Sequence, residues 1–441
     1  MRNVLFLLFL ASCAFSNNVR KISNDDKLPM EYKEICNPSG ECRKFSRLIM
    51  GTDHLVQAGW QNENQKEISR EKFNELLDEA VRLGINLFDT SPIYVGSVEK
   101  KLGEWQKSRT EMIKEEDFYY QKNLNPDRKI YTLSKGGFPF DLYYSKKIPE
   151  GENSEELLNF LKVNNYTSEN MPTGTYASRL YGSSEQIKNR VLEEISNSSL
   201  QLNNEIAVYL MHRDDNDYVN FKKIPRKQTS VFDIMTSLSS KEIASKYFIL
   251  GWSNWETDRI NESLVLARKN KNFTNPFMNS AYFSLFEMGK KSIHAGGIQN
   301  THSEMNDVNF QKGINQMSYS PLGGFSIFDK PTPIFENAKK DAKIKFDNGD
   351  AYWKNVYEAI FTIENEARFT RVQNFTAEFN LKHNTNYTID QMINAYALAH
   401  KRADFLTIGP VNIEQLRRTV DSLKLSKKLT ESDLDYLHHG N

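Results

Sequence analysis

A carboxylate, a phenol, an amine and an imidazole stand at the ends of three successive apolar runs of this chain, as Asp89, Tyr94, Lys135 and His212. Phe88-Asp89-Thr90-Ser91-Pro92-Ile93-Tyr94 follows one run, Ser134-Lys135-Gly136-Gly137 the next, and His212-Arg213-Asp214-Asp215 the third. A phenol with a pKa of about 10 is a poor acid at neutral pH, but a lysine ammonium beside it stabilises the phenolate and lowers that pKa. A buried lysine tends to lose its own proton unless a carboxylate such as Asp89 pairs with it. An imidazole next to the phenol can hydrogen-bond a substrate oxygen and fix its orientation. The product of such a set is a proton donor aimed at a carbonyl. Asp89 and Asp214 would also admit a glycosidase, which needs two facing carboxylates. Lys135 beside Asp89 argues against it, because an ionised, paired carboxylate suits neither acid nor nucleophile.

For those four groups to meet, the segments that carry them must open on one rim, as the strands of a parallel barrel do. From about residue 46, short apolar runs that read as buried parallel strands alternate with stretches of helical periodicity. The expected strands include Leu48 to Gly51, Ile85 to Phe88, Lys129 to Leu133, Ile206 to Met211, Phe248 to Leu250, Met317 to Tyr319 and Phe405 to Ile408. Phe73-Leu76-Leu77-Ala80-Val81 and Ile187-Val191-Leu192-Ile195 recur at helical spacing, and similar helices are expected at Arg259 to Lys269, Ile389 to Lys401 and Ile413 to Leu425. A strand-helix unit repeated about eight times over ~380 residues predicts an α/β fold, the (β/α)8 TIM barrel, which closes its own sheet edges. A doubly wound open sheet is the alternative, weakened because no G-x-G-x-x-G follows an early strand. Lys107 to Asp127, Phe138 to Arg179 and Phe325 to Tyr387 are expected as long loops with local helices. The barrel is placed at 48–427, after an N-terminal segment and hairpin over 17–47 and before a C-terminal tail over 428–441.

The bulk of the chain sets further limits. Among its 441 residues, 57 Lys+Arg balance 57 Asp+Glu, so no charge is available to follow a phosphate backbone and nucleic acid is not an expected partner. A hydrophobic fraction of 39% is ample for a buried core. Residues 1–16 read as an export signal: a positive start at Arg2, an apolar run from Val4 to Ala11, and small residues at Ala14 and Ser16. Leu10-Ala11-Ser12-Cys13 also resembles a lipobox, which would anchor the mature chain by lipid at Cys13. No later segment reaches membrane-spanning length. Outside that signal only Cys36 and Cys42 remain, flanking the turn composition Asn37-Pro38-Ser39-Gly40-Glu41, and a disulfide across a short hairpin is expected. Neither a second cysteine pair nor clustered histidines suggest a metal, and none is expected.

In order and in strand-end position, Asp89, Tyr94, Lys135 and His212 resemble the catalytic tetrad of the aldo-keto reductases. The resemblance runs from Phe45 to Leu425 and includes Leu250-Gly251-Trp252-Ser253-Asn254-Trp255, Ser318-Tyr319-Ser320-Pro321-Leu322-Gly323-Gly324, and Ile408-Gly409-Pro410 followed by Ile413-Glu414-Gln415-Leu416. The long segments are similar to a bacterial-type subgroup, through Ser178-Arg179-Leu180 and through Glu364-Asn365 with Arg368 and Arg371. The resemblance implies NADP or NAD bound across the barrel mouth, NADP slightly preferred on family grounds. It implies a small-molecule aldehyde, ketone or sugar as carbonyl substrate, or the reverse alcohol oxidation, with Tyr94 as proton donor. By matching position, Ser253 and Asn254 would hold the carboxamide and Tyr319 would stack on the nicotinamide. Gly51, Thr52, Ser320, Pro321, Leu322, Gly323 and Gly409 would complete the cofactor site. Ser280 stands where the family often has Gln, and Pro410-Val411-Asn412 and Thr419-Val420 depart from its adenosine-end pattern. Arg417 or Arg418 would have to substitute there, and Ala207 replaces a common Asp. An exported, non-catalytic ligand-binding or regulatory barrel is the alternative function.

Overall fold

The structure, a computed structural model, describes residues 30–55, 69–94, 97–112, 129–137, 180, 182–214, 229–289, 297–323, 334–349 and 351–440. The expected signal with Cys13, the segment Phe138 to Arg179, most of Lys107 to Asp127, and Gly324 with the start of Phe325 to Tyr387 lie outside the described residues.

Eight parallel strands close into a barrel: β3 (Leu48–Gly51), β4 (Leu87–Asp89), β5 (Tyr131–Gly136), β6 (Ile206–Met211), β7 (Tyr247–Ser253), β8 (Pro276–Tyr282), β9 (Asn315–Tyr319) and β10 (Phe405–Ile408). Closure is made by β10 pairing with β3, with Leu406 opposite Leu48 and Ile408 opposite Met50. These strands are buried on both faces, which is why they read as apolar runs rather than as an alternation. The strand absent from the sequence-based set is β8. It begins with Pro276 and carries Asn279 and Ser280, a composition that reads as a turn. Inside the barrel wall its amide nitrogen finds partners: Asn279 Nδ2 donates to Gln311 Oε1 at 2.9 Å and to Gln316 Oε1 at 3.3 Å.

Thirteen helices are described: α1 (Arg70–Arg82), α2 (Val98–Met112), α3 (Ser184–Leu202), α4 (Val231–Leu238), α5 (Lys241–Ala244), α6 (Thr257–Lys269), α7 (His302–Asn306), α8 (Phe335–Asp347), α9 (Ala351–Ile360), α10 (Ile363–His383), α11 (Ile389–Ala399), α12 (Ile413–Ser426) and α13 (Glu431–His439). In α1 the Ser69 side chain caps the start by accepting from Lys72 N, while Phe73, Leu76, Leu77, Ala80 and Val81 face the sheet. The stretch Phe325 to Tyr387, expected as a long loop with local helices, is mostly helix in its described residues, α8 to α10, with Phe335, Ala342, Phe369, Val372 and Phe379 buried. One expectation changes here. The residues after 427 are no trailing tail: α13 starts on a Thr430 capping box and buries Leu434 and Leu437.

Ahead of the barrel, β1 (Tyr32–Cys36) and β2 (Cys42–Ser46) form an antiparallel hairpin whose register sets Cys36 opposite Cys42, and the two are disulfide-bonded. The hairpin plugs the end of the barrel where strands begin. Ile35 and Phe45 join the interior cluster of Ile49, Leu133, Val208, Phe248, Met317 and Phe405, with the Phe45 ring 5.0 Å from that of Tyr131. The opposite rim, where strands end, is left for chemistry.

Candidate active site

Strand ends bring the four expected residues together. Asp89 closes β4, Lys135 is the penultimate residue of β5, His212 directly follows β6, and Tyr94 sits five residues past β4. The Lys135 ammonium is the hub. It pairs with the Asp89 carboxylate, donates to Tyr94 Oη at 2.8 Å and to the Thr90 carbonyl at 3.2 Å, and lies 4.8 Å from the centre of the Tyr94 ring. The His212 ring meets the Tyr94 ring edge-on at 6.2 Å, and its Nδ1 lies 3.3 Å from Ser91 Oγ. Asp89, Lys135 and His212 are buried, so the ion pair acts in a medium that weakens charge little.

One electrostatic expectation is overturned. Burial, reinforced by the negative charges of Asp89 and Asp53, pushes the Tyr94 phenol well above its ordinary pKa, with Arg213 pulling the other way. The phenol is therefore fully protonated at neutral pH. Lys135 serves to receive the phenolate once the proton has left, through a hydrogen bond already in place. Burial also raises the Asp89 carboxyl, against the pull of Lys135.

The expected cofactor residues fall into two groups. At the rim, Ser253 ends β7 and is opposite Ser280 of β8, and Asn254 N donates to the Ser280 carbonyl at 2.8 Å. Tyr319 ends β9, and its hydroxyl donates to Asn254 Oδ1 at 2.7 Å. Asn254 Nδ2 donates to Ser253 Oγ at 2.9 Å, and its Oδ1 also accepts from Ile298 N at 3.2 Å, so this amide is already engaged by the protein. Asn254 and Ser320 hold φ of 57° and 53°, left-handed conformations uncommon outside glycine that cluster where a fold stores strain for a site. The turn after Tyr319 is fixed by Gly323 N donating to the Ser320 carbonyl at 3.0 Å and by Ser284 Oγ donating to the Pro321 carbonyl at 2.6 Å, with Leu322 between. Across the barrel, both the N–H and the hydroxyl of Thr52 bond the Asp89 carbonyl, and a Cβ on Gly51 would stand 3.0 Å from the Ile408 carbonyl oxygen. A Cβ on Gly409 would stand 3.3 Å from the His54 ring.

Arg417 is not brought to this group: its Nε bonds Glu79 of α1 at 2.7 Å, and Arg418 pairs with Asp390 and Glu414. Arg368 and Arg371 bind the end of α13 instead, the first through His438 and the second through the Leu437 carbonyl. Asp214 is held by both its oxygens on Arg259 Nε at 2.9 Å, which removes it as a glycosidase partner for Asp89. Sequence reading passed over Asp53, which acts on Tyr94, and Arg213, which hydrogen-bonds Tyr319, whose phenol burial pushes up to about 12. Arg213 stood next to His212 in the motif, but only the structure shows where it points.

Among the described residues no helix is long and apolar enough to cross a membrane. A family model described as the Aldo/keto reductase family matches residues 47–439, most of the chain. No curated protein matches it significantly.

Proposed function

The chain belongs to the aldo/keto reductase family, and from that premise we propose that it reduces an aldehyde, ketone or sugar carbonyl with NAD(P)H, Tyr94 giving the proton. At family level it is an oxidoreductase whose relatives reduce small carbonyl compounds with a nicotinamide cofactor. The observation that carries the finer reading is the Lys135 ammonium set between the Asp89 carboxylate and Tyr94 Oη, with the His212 ring beside the phenol.

The rim residues fit a nicotinamide. Ser253 and Ser280 stand side by side with hydroxyl groups, and the Tyr319 ring lies beside them, held by its hydrogen bond to Asn254. When bound, the cofactor supplies the hydride. Tyr94 delivers its proton to the carbonyl oxygen, and the Lys135 hydrogen bond takes up the phenolate charge. Asp89 and the Thr90 carbonyl hold the Lys135 side chain aimed at the phenol. His212, braced at Nδ1 by Ser91, orients the substrate oxygen. NADP remains slightly favoured over NAD on family grounds alone, since Arg417 and Arg418 are both committed to acidic neighbours.

The test is a panel of aldehydes, ketones and sugars run with both reduced cofactors on the wild type and Tyr94→Phe. Loss of a general acid should lower kcat by roughly 10²–10⁴-fold, while quenching of tryptophan fluorescence by NADPH or NADH is unchanged. Wild-type turnover in the variant would remove Tyr94 from the role, and failure of either cofactor to bind would favour the non-catalytic barrel. We further propose export through residues 1–16, with lipid attachment at Cys13 as the second form. The Cys36–Cys42 bond supports it, since disulfides persist in oxidising compartments. Intact mass of the chain from its own cells, read at the N-terminus, decides between cleavage after Ser16, a lipid adduct on Cys13, and no export.

A further inference from the structure

On the rim beside the tetrad, both nitrogens of the His54 ring face hydrogen-bond acceptors. Nδ1 lies 3.0 Å from the carboxylate oxygen Asp53 Oδ1, and Nε2 lies 3.0 Å from the Pro410 carbonyl oxygen. A neutral imidazole carries one proton, so one of its nitrogens would turn a lone pair toward an acceptor, whereas the imidazolium donates to both. Turning the ring over would set carbon atoms opposite both acceptors, so a flipped ring does not explain the pattern.

His54 and Pro410 stand on the two sides of the seam that closes the barrel. β3 pairs with β10 as far as Met50 opposite Ile408, beyond which follow the turn that holds His54 and the turn Gly409-Pro410. The ring lies against the bare backbone of Gly409, where a Cβ would stand 3.3 Å from its Cε1 and Nδ1. His54 thus carries the hydrogen bonding of the seam past its last strand pair. Burial works against a charged ring, yet the Asp53 carboxylate and the Pro410 carbonyl outweigh it and hold His54 above the ordinary histidine value. Desolvation drives the buried His302, His400 and His438 the other way. Asp53 is the charged group bonded to the ring, and on the tetrad side it acts on Asp89 and Tyr94. From the α12 side Pro410 presents a carbonyl, while Arg417 is paired with Glu79, and Arg418 with Asp390 and Glu414.

We propose that His54 stands as an imidazolium that clasps the two sides of the closing seam at the barrel mouth, and that loss of its proton opens the clasp. The neutral ring keeps one of its two bonds and leaves the Asp53 charge uncompensated on the rim. The stability conferred by the proton is complete below the unfolded histidine value of about 6.5 and is lost as pH rises through the raised value of the folded chain. One consequence rests on the functional reading above. A dinucleotide brings an anionic diphosphate to the rim, where Thr52 and Gly409 are expected to meet it, so it binds best while Asp53 and His54 together carry no net charge.

NMR of the histidine Cε1–H signals of the full chain against pH is the direct test, with the His54 signal assigned by its absence in His54→Gln. Its midpoint should lie above about 6.5 and fall in Asp53→Asn. The wild type should melt higher than His54→Gln at low pH, the gap closing as pH rises through that midpoint. In tryptophan quenching, Kd for NADH or NADPH should rise about fivefold or more over the same interval and stay flat in His54→Gln. A His54 midpoint at or below the ordinary value, or a melting gap indifferent to pH, overturns the clasp. A Kd unchanged across the midpoint overturns its link to the cofactor. Failure of both cofactors to bind, with the midpoint and the melting gap as expected, would strike the functional reading and leave the clasp standing.

Discussion

Tyr94 shows how little a residue's type says about its proton. Lys135 beside a phenol suggested a lowered pKa, and its position was legible because strand ends are legible. The opposing effects were not: burial and the carboxylates Asp89 and Asp53 act through space, and Asp53 gave no signal in the chain order. The sign has a consequence for rate. A raised phenol keeps its proton above the ordinary value of about 10, so the proton-donating form persists there and carbonyl reduction should not decline through that region for want of an acid. The pH profile of kcat/KM, which reports the free enzyme, measures this. An alkaline limb at or below the ordinary phenol pKa would contradict the environment described for Tyr94. Asn254 and Arg417 carry the same lesson: the Asn254 amide bonds to Tyr319, Ser253 and Ile298, and Arg417 turns to Glu79.

Among elements, those with clean periodicity were legible, and those whose burial depends on distant partners were not. The set Phe73, Leu76, Leu77, Ala80 and Val81 marked α1 because a helix against a sheet buries one stripe. Strand β8 was hidden because its Asn279 needs Gln311 and Gln316, which come from later in the chain. The segment of α8 to α10 was expected as a long loop with local helices because it is rich in Lys, Asn and Glu, and α13 as a tail because only Leu434, Tyr436 and Leu437 are apolar in it. Two substitutions weigh these elements. Phe45→Ala empties the hairpin plug and should cost about 3–5 kcal/mol, read as a fall in the urea midpoint. Leu437→Ala in α13 should cost about 2–5 kcal/mol, whereas Leu381→Ala, at a residue 88% exposed, should stay within ~0.5 kcal/mol. An α13 that is only a tail would make Leu437 behave like Leu381.

At the scale of the whole molecule, the expectation of a (β/α)8 barrel follows from the alternation of strand and helix, and the closed ring of eight strands bears it out. The alternation could not show which strands close the ring, because that pairing joins Leu48–Gly51 to Phe405–Ile408. A chain ended after Asp404 lacks β10 and leaves β3 and β9 with open edges. Its thermal unfolding should lose the cooperative transition of the full chain, and a retained transition would mean that the ring does not need its last strand. The closing pair also sets a clock for biosynthesis. At roughly 5–20 residues per second, tens of seconds separate the emergence of β3 from that of β10 at the ribosome. Throughout that interval β3 can pair with β4 on one side only, so the nascent chain carries an apolar strand with one open edge until its last strand arrives.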